Sequence, residues 1–237
     1  MIGIINVVDS MIAREVNCGT YLNAGREVGV ASTKSFTSQC IVLSMLAIWF
    51  SQIHNVNDIK RIKYISDLRR LSMDIEYTID QTENKCKEIA NLLKDNTSLF
   101  ILGKNKSEAI AKEGALKIKE ISYIHAEGYS GSSLKHGPFG LLEEDFPVIL
   151  IDPNDNYHSK MNNVYEEIKS RNAKIISITN DKSMLNKRKN VILVPNNESF
   201  VEILSIIPIQ LLAYNLSINK DINPDFPRNL AKCVTTE

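Results

Sequence analysis

The chain has 237 residues with 28 basic and 28 acidic side chains, a formal net charge of +0. That length suits one domain, or one domain with part of another, and a hydrophobic share of 43% is enough for a buried core, which excludes a disordered chain. Balanced charge gives no electrostatic case for nucleic acid or an anionic membrane. The four cysteines (Cys18, Cys40, Cys86, Cys233) show no CxxC spacing, so neither a zinc site nor a redox pair is expected, and a reduced, cytoplasmic chain is the default.

Met1 leads straight into an apolar run, Ile2 to Val8, which reads as a strand covered on both faces, with no basic region or cleavage pattern of a signal peptide. A loop with Gly19, Gly25 and Gly29 follows. Ser32 or Thr33 then caps a long apolar helix from Lys34 to about His54. Its apolar centre, Cys40 to Phe50, is too short to span a bilayer and predicts a buried helix. From Asp58 to Leu93 charge rises, while Ile62, Ile65, Leu68, Ile75, Ile79, Cys86 and Ile89 recur at helical spacing. This predicts a pair of amphipathic helices and a domain boundary.

Beyond it, strands and helices alternate. Strands are expected at Ser98 to Leu102, Pro147 to Ile151, Lys174 to Thr179 and Asn190 to Val194. Helices are expected after a Ser107 cap, over Tyr157 to Arg171, and over Ser199 to Lys220 with a kink at Pro208. The fold class is therefore α/β, a parallel sheet flanked by helices, with ligands beyond the carboxyl ends of the strands. Asp221 to Glu237, with Pro224 and Pro227, forms an irregular tail.

Three groups of residues bear chemistry. Glu113, Lys117 and Glu120 stand at i, i+4 and i+7, on one helix face. They read either as a solvated Glu–Lys pair or, because Gly114, Ala115 and Ile118 border them, as a partly desolvated proton shuttle. His125, Glu127, Lys135 and His136 fall in a segment rich in Gly and Ser. There His136-Gly137-Pro138 makes a sharp turn, and no third ligand suggests a metal. Lys232, in the tail, is either solvated or folded back as an amine nucleophile toward a carbonyl.

Four segments in register resemble the isomerase half of the glutamine–fructose-6-phosphate aminotransferase family. They are Asn23-Ala24-Gly25-Arg26-Glu27-Val28-Gly29-Val30-Ala31-Ser32-Thr33-Lys34, Glu113 through Glu127, Leu134-Lys135-His136-Gly137-Pro138, and Pro227 through Lys232 with Val234-Thr235. The resemblance implies sugar-isomerase (SIS) domains of flavodoxin-like type. It places the C-terminal remnant of a first SIS domain at 1–57, connecting helices at 58–93, a second SIS domain at 94–220, and a tail carrying the active-site lysine at 221–237. It also implies that Lys232 forms an imine with open-chain fructose 6-phosphate and that Glu120 moves a proton between the first two sugar carbons. By the same resemblance His136 assists ring opening from a neighbouring subunit of a homo-oligomer, Lys117 lies near the reacting oxygens, and Val30, Ser32 and Ala231 line the sugar site. No metal and no organic cofactor are implied.

The family's N-terminal glutaminase domain, with its N-terminal cysteine, has no counterpart here, nor does the Ser/Thr-rich phosphate loop of the first SIS domain. Cys18-Gly19-Thr20 imitates an upstream family element by coincidence. Ser133 stands where the family usually has Glu, and Cys233 where it usually has Ser. The expectations are therefore no glutaminase activity, weak sugar-phosphate binding by this chain alone, and a possible second chain supplying the N-terminal region. A catalytically incompetent SIS module for binding or oligomerisation is the alternative.

Overall fold

The structure, a computed structural model, describes residues 1–232. Its centre is a five-stranded parallel sheet in the order β4-β3-β5-β6-β7. The strands are β3 (Ser98–Gly103), β4 (His125–Ser130), β5 (Pro147–Ile151), β6 (Lys174–Thr179) and β7 (Asn190–Leu193). The crossovers include α4 (Lys106–Ser122), between β3 and β4, and α5 (His158–Lys169), between β5 and β6; α6 (Val201–Asn219) follows β7. Alternation in the strands sorts side chains to two layers. Leu99, Ile101, Ile149 and Ile151 join α3 (Asp58–Leu93), α4 and α6 in one core, while Phe100, Leu102, Val148 and Leu150 meet α5 in the other.

The amino-terminal region is a second, two-stranded parallel sheet, β1 (Ile2–Ile5) with β2 (Cys18–Tyr21), joined by the short α1 (Met11–Glu15). It leads through a loop into α2 (Lys34–Ile53) and then α3 (Asp58–Leu93).

Several expectations are corrected. The first strand stops at Ile5 rather than Val8, and Cys18–Tyr21, expected as loop, is a strand. Asp58–Leu93 is one helix of 36 residues, not a pair, started by Asn57, whose side chain accepts the Lys60 N–H. The cap of α4 is Asn105, in a positive-φ conformation; Ser107 lies inside the helix with its hydroxyl buried and unpaired. β4 was hidden by its polar sequence. It is an edge strand against which α4 packs so closely that a Cβ on Gly128 would sit 2.5 Å from Lys112 Cα.

The long apolar helix α2 is not buried as expected. Phe36, Cys40 and Ile41 pack against the core, yet Leu43, Met45, Trp49, Phe50 and Ile53 are exposed. Both α2 and α6 are long and apolar enough to cross a membrane by length and composition. In α6 that character is used in the core, with 72% of its most apolar window buried, against 0% for α2.

Candidate active site

The tail returns to the loop in front of α2. Tyr123, a left-handed residue that ends α4, receives the Arg228 N–H on its hydroxyl at 2.6 Å and carries the Arg228 guanidinium over its ring at 4.3 Å. Four residues on, Lys232 Nζ lies 2.7 Å from Glu27 Oε2 and 3.4 Å from the Val30 carbonyl. The lysine predicted at this site is therefore folded back. Val30 and Ser32 are half-buried in the same loop, and Ala231 is exposed beside Lys232.

Glu27 organises this junction. Thr33 stands at the N-cap of α2 without a capping side chain of its own. Glu27 Oε1 takes over that role and accepts the Thr33 and Ser35 N–H groups at 2.9 and 3.3 Å. Burial alone would raise its pKa, but the hydrogen bonds from Lys232, Thr33 and Ser35 outweigh it and hold the carboxyl at about 2. A cleft of ≈ 490 Å³ opens beside it, walled by Lys34, Ile121, Gln210 and Tyr214.

On α4, Lys117 is buried, 3% exposed, between Glu113 at 3.4 Å and Glu120 at 2.8 Å. This is not a solvated surface pair. Glu120 Oε2 is close to the ammonium, yet this buried oxygen accepts no well-aligned hydrogen bond among the described residues. Two carboxylates thus flank one enclosed lysine on the same helix face. Cys40 of α2 is near enough that burial, and then the Glu113 carboxylate, push its thiol up. Among the described residues no hydrogen bond or ion pair joins Lys232 to this triad.

His136 is exposed at the end of a 3-10 turn, Ser133–His136, and is joined to neither group by a hydrogen bond among the described residues. Its neighbour Lys135 pairs with Glu167 at 2.6 Å. His125 and Glu127 lie two apart on β4, 3.6 Å from each other, and no group of metal-ligating side chains occurs among the described residues. Cys233 and Val234-Thr235 lie outside the described residues.

Sequence reasoning passed over one cluster. Asp152, fully buried just after β5, meets Arg188 at 2.9 Å and His158 at 3.0 Å; Arg188 also donates to Ser177 on β6 at 3.1 Å and stacks over Tyr165. Burial pushes the Asp152 carboxyl up, against the opposing pull of His158 and Arg188. An ion network thus fills the carboxyl ends of β5 and β6, where ligands bind in many such sheets. The available signal was a charged residue directly after an all-apolar strand.

The SIS domain model matches residues 1–49 and 92–220. Over its full length the chain is 50% identical to a probable glutamine–fructose-6-phosphate aminotransferase (isomerizing) of Acanthamoeba polyphaga mimivirus, covering 39% of that protein. It is 41% identical to the Saccharomyces cerevisiae enzyme of the same name, covering 34% of it. The chain thus spans well under half the length of these relatives. The C-terminal domain of glucosamine-fructose-6-phosphate aminotransferase from Francisella tularensis superposes with a TM-score of 0.90 at 32% identity, over 95% of this chain and 64% of that one. A glucosamine-6-phosphate deaminase from Thermotoga maritima shares the fold, with a TM-score of 0.76 at 23% identity. The chain belongs to the SIS-domain family.

Proposed function

We propose that this chain provides the isomerase part of a glutamine–fructose-6-phosphate aminotransferase, turning fructose 6-phosphate and glutamine-derived ammonia into glucosamine 6-phosphate in the cytoplasm. The observation that carries this reading is the return of Lys232, across more than two hundred residues of chain, to the Glu27–Val30 loop. An amine held at a half-buried loop is placed to meet a carbonyl.

In this reading the Lys232 amine adds to the C2 carbonyl of the open-chain ketose, forming the C=N bond and releasing water. Ammonia then displaces the lysine, regenerating its amine. Glu120 takes a proton from C1 and returns it to C2 while the C1 hydroxyl proton passes to the imine nitrogen, so that C1 becomes a carbonyl as C2 becomes an amine-bearing carbon. Lys117 steadies the negative charge that develops on the sugar oxygens. Val30, Ser32 and Ala231 hold the carbon chain. His136, joined to this site by no hydrogen bond among the described residues, opens the ring from a neighbouring copy.

The sugar phosphate is held, in this reading, by an amino-terminal region that pairs with the free edge of β1. Each charge-assisted hydrogen bond to a phosphate contributes roughly 1.5–3 kcal/mol, so two missing bonds weaken binding by about 3–6 kcal/mol. Calorimetry on the 237-residue chain should therefore detect no micromolar binding of fructose 6-phosphate. Micromolar affinity would mean that the chain holds the phosphate unaided. With the amino-terminal region of a relative supplied in trans, Lys232→Ala and Glu120→Gln should each abolish product formation. Near-native turnover by Lys232→Ala would remove the imine from the scheme.

A further inference from the structure

We infer that Glu27 is the positioning residue of the site: its two carboxylate oxygens divide the work, one fixing the start of α2 and the other holding the Lys232 ammonium. The role in the reaction rests on the function proposed above; the division of labour rests on geometry alone.

Oε1 accepts the Thr33 and Ser35 amides, and Oε2 receives Lys232 at 2.7 Å. The Glu27 side chain is 10% exposed and Lys232 40%, so the carboxylate is enclosed while the ammonium still meets solvent, unlike the pairs of α3, which are exposed on both sides. Neither of the two neighbouring cations pairs with Glu27 among the described residues. Lys34 donates to the Arg26 carbonyl at 2.8 Å, and Arg26 makes no ion pair among the described residues. The tail has a separate anchor at Tyr123, through Arg228. Glu27 therefore fixes the position of the ε-amine rather than the mere presence of the tail.

Reach explains the residue type. A glutamate spans from its own loop to the α2 amides while turning its second oxygen to the tail; an aspartate is one methylene shorter. For Lys232 to attack a carbonyl, its ammonium must give up a proton and leave this partner. A sugar entering between loop and tail would meet the amine already aimed at the Val30 carbonyl side of the loop.

The two oxygens can be tested apart in the full chain. Glu27→Gln keeps a carbonyl oxygen for the α2 amides but presents an NH₂ to Lys232, whereas Glu27→Ala removes both functions. Acetylation of Lys232, read by mass spectrometry against the exposed Lys94, should run about fivefold faster in Glu27→Gln. Hydrogen exchange at the Thr33 and Ser35 amides should stay at the wild-type rate in that variant and rise in Glu27→Ala. Should Glu27→Gln fold poorly, Lys232→Met gives the reciprocal reading: the Thr33 and Ser35 amides, held by the other oxygen, and the Arg228 amide, held by Tyr123, all exchange at the wild-type rate, and acceleration at Thr33 and Ser35 would overturn the division of labour.

An unchanged Lys232 labelling rate in Glu27→Gln, or equal acceleration of the α2 amides in Gln and Ala variants, would overturn the division of labour. Borohydride trapping of fructose 6-phosphate on Lys232, with the amino-terminal region supplied, tests the reaction separately. Slower trapping in Glu27→Gln, but not in Glu120→Gln, supports a role in placing the amine. Equal trapping in wild type and Glu27→Gln removes that role. No adduct in wild type defeats the proposed function, while the labelling ratio still decides the pairing.

Discussion

Two stretches of this molecule repeat one design with opposite outcomes. β1–α1–β2–α2 and β6–(3-10 turn)–β7–α6 share the order strand, short helix, parallel strand, long apolar helix, and their last helices have 20 and 19 residues. Yet α6 is the central helix of the larger core and α2 has no fully buried residue. The difference lies in what stands beside them. α6 packs on α3, α4 and the five-stranded sheet, whereas α2 has α3 and the edge of that core, with only two strands in its own sheet. Local sequence makes the element; neighbouring layers decide whether its apolar face becomes core.

Substitutions that separate the two stretches sharpen this contrast. The largest loss should come where the complete sheet encloses charge. Arg188→Met leaves Asp152, fully buried, without its guanidinium, and should lower unfolding free energy by about 3–5 kcal/mol in urea titrations. Adding Asp152→Leu should regain most of that loss, since the uncompensated charge, rather than the missing pair, is the cost. A double variant no more stable than the single one would show that the network supports the fold through shape instead.

Next comes the matched pair of leucines. Leu204 on α6 is 0% exposed and Leu43 on α2 is 55% exposed. Leu204→Ala should lower stability by about 2–5 kcal/mol, and Leu43→Ala by less than about 0.5 kcal/mol. Similar losses at both positions would mean that α2 is covered in solution, and the contrast would fall.

The Glu27 carboxyl links the open stretch to the tail and gives a smaller, pH-dependent effect. Its pKa is lowered from 4.5 to about 2, so the undocked state binds the proton more readily. The stabilisation is therefore complete above about pH 4.5 and is lost as pH falls toward 2. Because Lys232 is 40% exposed and screened, about 1 kcal/mol is expected. The difference in melting between wild type and Glu27→Gln should shrink across that window. A constant difference would assign the effect to packing.

These contrasts also mark what the amino-acid sequence could reveal. Apolar runs such as Pro147–Ile151 identified the central strands, because strands buried on both faces need little else. β2 and β4 escaped because Cys18–Tyr21 and His125–Ser130 are short, polar and lie at edges, where pairing comes from the neighbour rather than from hydrophobicity. The spacing of Glu113, Lys117 and Glu120 put them on one face, but only the packing of α4 against α6 and β4 shows that Lys117 is enclosed. Glu27 stood inside the Asn23 to Lys34 segment without distinction. Its importance arises from a partner 205 residues away, which no local pattern encodes.

The smallest effect on stability, and the most direct view of the open stretch, is expected on the exposed side of α2. Met45 and Trp49 are each 54% exposed, so replacing either with lysine removes no burial and should change unfolding free energy by less than about 0.5 kcal/mol. Solution behaviour should respond more strongly. With Leu43 and Phe50 these side chains form a large apolar surface beside a two-stranded sheet, and such surfaces drive association. Light scattering should find the wild-type chain associated and a Met45→Lys/Trp49→Lys variant shifted toward smaller species at equal melting temperature. A monodisperse monomer in the wild type would show that exposed apolar area on α2 does not by itself bring copies together. A large drop in melting temperature for the double variant would instead show that α2 is packed, making its resemblance to α6 complete.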